Sequence, residues 1–440
     1  MENAAPGIGQ GDQTLARDHL VTEDGATETS AARPAHSEQV TGRGRVIMVF
    51  ALIVFVGVNL RSVIMAIAPV LPLIQRDLRL SYTATGLLTS LPLLLMGALA
   101  LPAGLLAGRF GGRRIVLLGL VLLAGGAVLR GVWPAALPLY IFTVLLSAGI
   151  TLVQTTVPVL ARQWFPTRIG LVAALFTDGL ILGETLGAAF TLPVMNRFWG
   201  QDGWQGTLLF WAVPTLLVLV LWFLFAPPAA ATMPARSPAS STAARAAPPA
   251  RRVSALHLGL LLGSGSLIYF GMNAWISPYN QAIGAASATP LVLGVLNAIQ
   301  LPMGMAITIF AQRLAGRRWP FMAAGVVSVV AIIGWMITPV AWQPIWVACL
   351  GGSSSSVFVL GVALPALLAD RASVARLSGA TLTLSYGFAF LGPLLGGSFW
   401  DLLHLPQAAF VPVVIASLLL IVLGALLPSR TNFGLLDEAK

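Results

Sequence analysis

Three charged side chains lie deep within long apolar stretches: Arg61, Asp178 and Glu184. Arg61 stands near the middle of residues 46–70, in the run Val56-Gly57-Val58-Asn59-Leu60-Arg61-Ser62-Val63. A guanidinium at bilayer depth is costly, so it faces protein or water rather than lipid and marks a candidate site. Its planar fork suits a planar anion better than a lysine would. At ~1.5 Å rise per residue, Arg61 lies ~22 Å into its stretch, Glu184 ~24 Å into residues 168–195, and Asp178 ~15 Å. The two carboxylates are six residues apart, which points them about 120° away from each other on a helix. Glu184 matches Arg61 in depth; Asp178 stays open as an alternative partner, or as a carboxylate bonded within its own helices. Either carboxylate could take up a proton and leave Arg61 free to hold an anionic group. The plainer alternative makes Arg61 a structural pin between helices.

Uncharged polar groups could complete such a site. Asn59 lies two residues before Arg61. Thr151, Gln154, Thr155 and Pro158 recur at helical spacing on an otherwise apolar stretch. Tyr269, at a depth like that of Arg61, precedes Asn273, Ser277 and Asn280, while Asn297 and Gln300 share a face with Gly304. From these, Asn59, Thr151, Gln154, Tyr269, Asn273, Asn297 and Gln300 are the expected solute-binding side chains, with Glu184 and Asp178 as proton carriers. Helix-to-helix hydrogen bonding is the competing explanation for each. Pro278 is expected to break or kink its helix. The run Gly351-Gly352-Ser353-Ser354-Ser355-Ser356 could bend its helix or simply allow close packing, and Gly179, Gly183 and Gly187 form a packing face.

The elements that must position these groups follow from composition. The 440 residues are 57% hydrophobic and only 9% charged, against about 25% charged in soluble domains, so the chain is a polytopic, all-α membrane protein. The net charge of +10 sits in short loops and implies no nucleic acid. One cysteine, four scattered histidines and a single lysine, Lys440, exclude a disulfide framework, a Cys-based metal centre and a Walker A phosphate loop. No cofactor or metal is expected. A membrane-embedded enzyme is the rival reading, but the spans hold no His, Cys or Lys cluster to serve it.

Twelve spans are expected, near 46–70, 84–107, 113–131, 137–161, 168–195, 206–226, 254–280, 289–312, 320–338, 343–369, 376–399 and 406–428. They divide into a six-helix bundle at 46–226 and another at 253–428. These are joined by a cytoplasmic linker at 227–252 and flanked by a disordered cytoplasmic tail at 1–45 and a second tail at 429–440. Eighteen basic residues then fall near helices on one side, against Arg76, Arg79, Arg130 and Arg197 on the other, which places both termini inside. Trp133, Trp199, Trp204, Trp342 and Trp400 would form an outer aromatic belt. The halves echo each other: Ala107-Gly108-Arg109-Phe110-Gly111-Gly112-Arg113-Arg114 matches Ala311-Gln312-Arg313-Leu314-Ala315-Gly316-Arg317-Arg318 at five of eight positions. Duplication puts the expected site where the halves meet.

The loop Gly104-x-x-x-Gly108-Arg109-x-Gly111-x-Arg113-Arg114 resembles the loop signature of the major facilitator superfamily, G-x-x-x-D-R-x-G-R-R, with Gly108 where the signature has Asp. Asn59-Leu60-Arg61, Leu91-Pro92-Leu93-Leu94-Leu95-Met96-Gly97 and residues 154–158 resemble its cyanate permease and nitroimidazole transporter branch. The resemblance implies two pseudo-symmetric six-helix bundles in a bacterial inner membrane, and a monomer moving a small solute by rocker-switch alternating access, with protons as a possible partner. The solute would be a small anion, cyanate-like or a small carboxylate; the alternative is efflux of neutral nitroaromatic or drug-like compounds. It also implies a gating role for Gly104, Arg109, Gly111, Arg113 and Arg114, and for their counterparts Arg313, Arg317 and Arg318.

Overall fold

The computed structural model describes residues 42–200, 203–228, 254–314, 316–369 and 373–428. Most of the expected tails and linker (1–45, 227–252, 429–440) lies outside these residues. Among the described residues, twelve helices are long and apolar enough to cross a membrane. They are α1 (Arg43–Leu78), α2 (Tyr82–Phe110), α3 (Gly112–Val132), α4 (Ala136–Trp164), α5 (Ile169–Phe198), α6 (Trp204–Phe225), α7 (Ala255–Ala282), α8 (Ala286–Ile309), α9 (Trp319–Ile337), α10 (Val340–Leu368), α11 (Arg376–Leu403) and α12 (Pro406–Leu426). Hydrocarbon leaves backbone groups no partner but the helix itself, which is why each apolar run folds this way.

Two helices are interrupted beside the candidate site. α1 is α-helical over Arg43–Met65, turns at Ala66 and resumes over Ile67–Leu78, so it extends well past the expected end at Val70. α8 breaks at Ile299, between Thr289–Ala298 and Gln300–Ile309. Proline explains both positions: Pro69 and Pro302 cannot donate to the carbonyls of Met65 and Ala298, four residues back. The break expected at Pro278 is absent, because α7 runs on through that residue to Ala282. Nor does the serine run interrupt α10, which is continuous over Gln343–Leu368. Instead, Ser355 donates to the Gln300 carbonyl at 3.2 Å and supports the break in α8.

α1 and α5 pack closely, with Gly179, Gly183 and Gly187 set against carbonyl oxygens of Val54, Val58 and Ser62. A Cβ at Gly183 would lie 2.1 Å from the Val58 oxygen, so no larger residue permits this approach. The first six helices meet the last six chiefly through α2 with α11, α5 with α8, and α1 with α7.

The two ends of that interface differ. At the Tyr82 end it is sealed: a Cβ on Gly86 would lie 2.2 Å from the Pro393 carbonyl oxygen, and Ser277 donates to the Pro69 carbonyl at 2.8 Å. The Asp401 carboxylate, at the end of α11, accepts from Tyr82 N at 3.0 Å, Thr83 N at 2.7 Å and Thr83 Oγ1 at 2.7 Å. It thus caps the N-terminus of α2 across the interface. At the Phe110 end the helices stand apart, and Gly104, Gly108 and Gly379 have no neighbouring atom within 4 Å of where a Cβ would sit.

Two expected belt tryptophans prove to be packing residues. Trp204 is buried and donates to Asp77 Oδ2 at 2.8 Å, and Trp400 stacks on Tyr82 with centroids 4.1 Å apart. Trp133, Trp199 and Trp342 are exposed.

Candidate functional site

Arg61, five residues before the break at Ala66 in α1, has Nε 3.5 Å from Glu184 Oε1 on α5, and both residues are 6% exposed. The glycine face that brings α5 onto α1 sets this pairing, because Glu184 follows Gly183 directly. On the other side of the carboxylate stand residues of the second half. Glu184 Oε2 is 2.9 Å from the Tyr269 hydroxyl of α7, and it accepts from Gln300 Nε2 of α8 at 3.4 Å.

Tyr269 opens a chain of polar contacts whose orientation is anchored by the backbone. Asn273 Nδ2 donates to the Tyr269 carbonyl at 3.0 Å, leaving Asn273 Oδ1 to accept from Asn297 Nδ2 at 2.9 Å. Asn297 Nδ2 also donates to the Leu293 carbonyl at 2.7 Å. Its Oδ1 therefore faces the Tyr269 hydroxyl. That hydroxyl has one proton and two oxygen neighbours, Asn297 Oδ1 and Glu184 Oε2.

Arg61 keeps donors in reserve: its Nε and Nη1 have no hydrogen-bond acceptor. The Tyr386 hydroxyl of α11 lies beside the guanidinium and accepts from Gln154 Nε2 at 3.5 Å. The centre thus gathers Arg61, Glu184, Gln154, Tyr269, Asn273, Asn297, Gln300 and Tyr386 from both halves. Such a charge in a low-dielectric setting can hold an anion wherever its native carboxylate yields.

Three expected residues fall outside this group. Asp178 is exposed and away from Arg61, since its 120° offset from Glu184 turns it off the α1 face. Thr151 is buried, with its hydroxyl spent on the Ser147 carbonyl of its own helix at 2.8 Å. Asn59 donates to the Phe55 carbonyl at 2.8 Å, about 200° around α1 from Arg61.

The expected gating arginines find partners within their own half. Arg113 donates to the Phe223 carbonyl at 3.1 Å, Arg318 to the Leu427 carbonyl, and Arg109 lies over the Phe110 ring at 5.3 Å. Arg114, Arg313 and Arg317 are exposed, the first two within helical turns and the third in the loop before α9. Gly111 adopts φ +88°, a conformation that favours glycine, where α2 turns into α3. Gly104 faces open space.

Sequence reasoning missed Tyr386, Asp401 and Arg130. Tyr386 is one of only five tyrosines, which was its available signal. Arg130, expected among the charges of the outer side, is 2% exposed within α3. Asp401 and Arg130 both sit at span ends, where the chain gives no sign of which way a side chain turns.

Residues 47–393 match the family model described as Major Facilitator Superfamily. The chain is 28% identical over 382 residues to an uncharacterized transporter, YycB, of Bacillus subtilis, covering 85% of this chain and 90% of that one. It is 27% identical to the cyanate transport protein CynX of Escherichia coli, covering 77% and 85%, and 28% identical to the 2-nitroimidazole transporter of that organism, covering 88% and 97%. Among solved structures, a bacterial homologue of the human lysosomal transporter Spinster superposes with TM-score 0.67 at 15% identity, covering 88% of this chain and 96% of that one. The D-xylose–proton symporter superposes with TM-score 0.65 at 13% identity, covering 86% and 96%. With twelve membrane-type helices and a family match over most of its length, this chain belongs to the major facilitator superfamily of membrane transporters.

Proposed function

We propose that the protein carries a small anion across a bacterial inner membrane, together with a proton on Glu184, by rocking its two six-helix halves about the Arg61 centre. The observation that carries this reading is the order of protons in the polar chain. Two backbone carbonyls fix Asn273 and Asn297 with Asn297 Oδ1 toward the Tyr269 hydroxyl, which so has two oxygen acceptors, Asn297 Oδ1 and Glu184 Oε2, for its single proton. The 2.9 Å approach of Tyr269 to Glu184 Oε2 is then favourable when Glu184 carries a proton of its own. A neutral Glu184 leaves Arg61 without a counter-charge and ready for an anion; a charged one recaptures it. The name of the cyanate relative supports a solute of this class.

The excess of basic residues at the Phe110 end supports a cytoplasmic position for that end. On that reading the sealed Tyr82 end faces outward and the conformation is inward-facing. Beyond the anion, the partners are protons and lipid, with no cofactor.

The test is uptake of labelled cyanate or formate into proteoliposomes under an imposed pH gradient. One proton per monoanion makes the cycle electroneutral. Each pH unit then supports up to about tenfold accumulation, since it is worth ~1.36 kcal/mol per proton. Glu184→Gln is expected to abolish gradient-driven uptake while keeping anion exchange, and Arg61→Ala to abolish both. Undiminished gradient-driven uptake in both variants would overturn the mechanism. Transport of neutral nitroaromatics that ignores Arg61→Ala would overturn the anion reading.

A further inference from the structure

The second buried guanidinium is unused by this scheme. Arg130, two residues from the end of α3, is 2% exposed, and among the described residues only Arg61, Arg130 and Glu184 are buried charged groups. One Arg130 nitrogen, Nη2, donates to the Val63 carbonyl at 3.0 Å. That carbonyl lies in the last turn before the break at Ala66, where a cation also suits the helix dipole. This accounts for one of five guanidinium N–H donors. Nε has no partner, and no salt bridge joins Arg130 to a carboxylate among the described residues.

Arg130 and Arg61 line the same cavity, with Asn273, Thr89 and Thr143 as its other polar groups and Met65, Leu93 and Phe270 among the apolar walls. The buried charges near it are two cations and one carboxylate, a net +1 that becomes +2 whenever Glu184 is protonated. Apolar walls leave that charge poorly screened and so concentrate its attraction for an anion. The cavity volume is about 30 Å³. A water needs roughly 10–15 Å³ by the same measure, so the space suits a solute of three or four heavy atoms and excludes an aromatic ring. Its walls include Ile67, Leu88 and Ala68, which places it on the Tyr82 side of Arg61.

We propose that Arg130 is a second anion-binding group: the two guanidinium forks hold one small monoanion between them, and an anion entering from the Tyr82 end meets Arg130 before Arg61. This rests on the anion reading above and adds a subsite and a size limit to it. The competing role for Arg130 is a cap on the first segment of α1 and nothing more.

The experiment is anion-induced thermal stabilisation of the purified full chain at constant ionic strength. The probes are formate, nitrate and cyanate, with neutral formamide and the larger anion benzoate alongside. Wild type is expected to respond to the three small anions and to neither control. Arg130→Gln should weaken the apparent formate affinity at least tenfold. Arg130→Lys, which keeps the charge and a donor for the Val63 carbonyl but loses the fork, should fall between. Full formate affinity in both Arg130 variants, with loss in Arg61→Gln, would overturn this proposal and leave the anion reading standing. No response of wild type to any anion would overturn both. The size limit is read on wild type alone, so it survives a variant that fails to fold; stabilisation by benzoate equal to that by formate would sink it.

Discussion

Asp401→Asn tests how the Tyr82 end is held shut. In the closed interface its carboxylate accepts three hydrogen bonds at 2.7–3.0 Å, two of them from the first backbone N–H groups of α2. A negative charge at a helix N-terminus is worth about 0.3–1 kcal/mol at exposed positions and up to ~2 when partly buried. A hydrogen bond to a charged group exceeds a neutral one by about 1 kcal/mol. Asparagine keeps one acceptor oxygen and turns an N–H₂ group toward the same donors. Because Asp401 is half-buried and water screens part of its charge, the loss comes to roughly 1–2 kcal/mol. All of these bonds cross between the halves, so the whole loss falls on the closed state. The ratio of open to closed at this end should therefore rise roughly 5- to 30-fold, at 1.4 kcal/mol per factor of ten. Nitroxides on Leu137→Cys and Leu402→Cys, in a chain lacking Cys349, report that ratio by double electron–electron resonance. Both positions are exposed, one in each half. A distance distribution identical to that of the Asp401 parent would refute the reasoning.

Three further outcomes follow from close contacts. Gly86→Ala puts a Cβ 2.2 Å from the Pro393 oxygen only while the Tyr82 end is shut. It should increase labelling of Ala68→Cys by an impermeant maleimide added from that side. Gly183→Ala forces α5 off α1 at Val58, and overpacking of about 1–3 kcal/mol should lower the melting temperature and weaken gradient-driven uptake. Tyr269→Phe leaves Asn297 Oδ1 without its donor; the cost of about 1–3 kcal/mol should appear as a lower melting temperature, and the Glu184-dependent pH response of anion binding should change with it.

Much of this molecule was legible in the chain because membranes restrict the options. An apolar run near twenty residues has little choice but helix, and a fixed rise per residue put Arg61 and Glu184 at one level before any packing was known. Rotation about the helix axis separated Asp178 from Glu184 in principle, but only the position of α1 decides which carboxylate turns inward. Thr151 and Asn59 stand apart from the polar group for a related reason: in an apolar helix the nearest acceptor for a hydroxyl or amide is the helix's own carbonyl, three or four residues back. Pro278 stayed helical while Pro69 and Pro302 marked the breaks, a difference that proline content alone does not encode. Asp401 and Arg130 carried the least signal, since a charge at a span end reads equally as a loop residue or as a side chain folded back into the protein. Gly108, which stands where the family signature has Asp, gains meaning beside Asp401: the carboxylate cap between halves is at the Tyr82 end, opposite the loop that carries the signature.

The proton on Glu184 is the claim on which the transport scheme turns, and infrared difference spectroscopy reads it without a flux assay. Formate added to the purified protein should change a carboxylic-acid C=O band that is sensitive to deuterium and missing from Glu184→Gln. A difference spectrum with no such band, or one that Glu184→Gln leaves intact, would contradict the account.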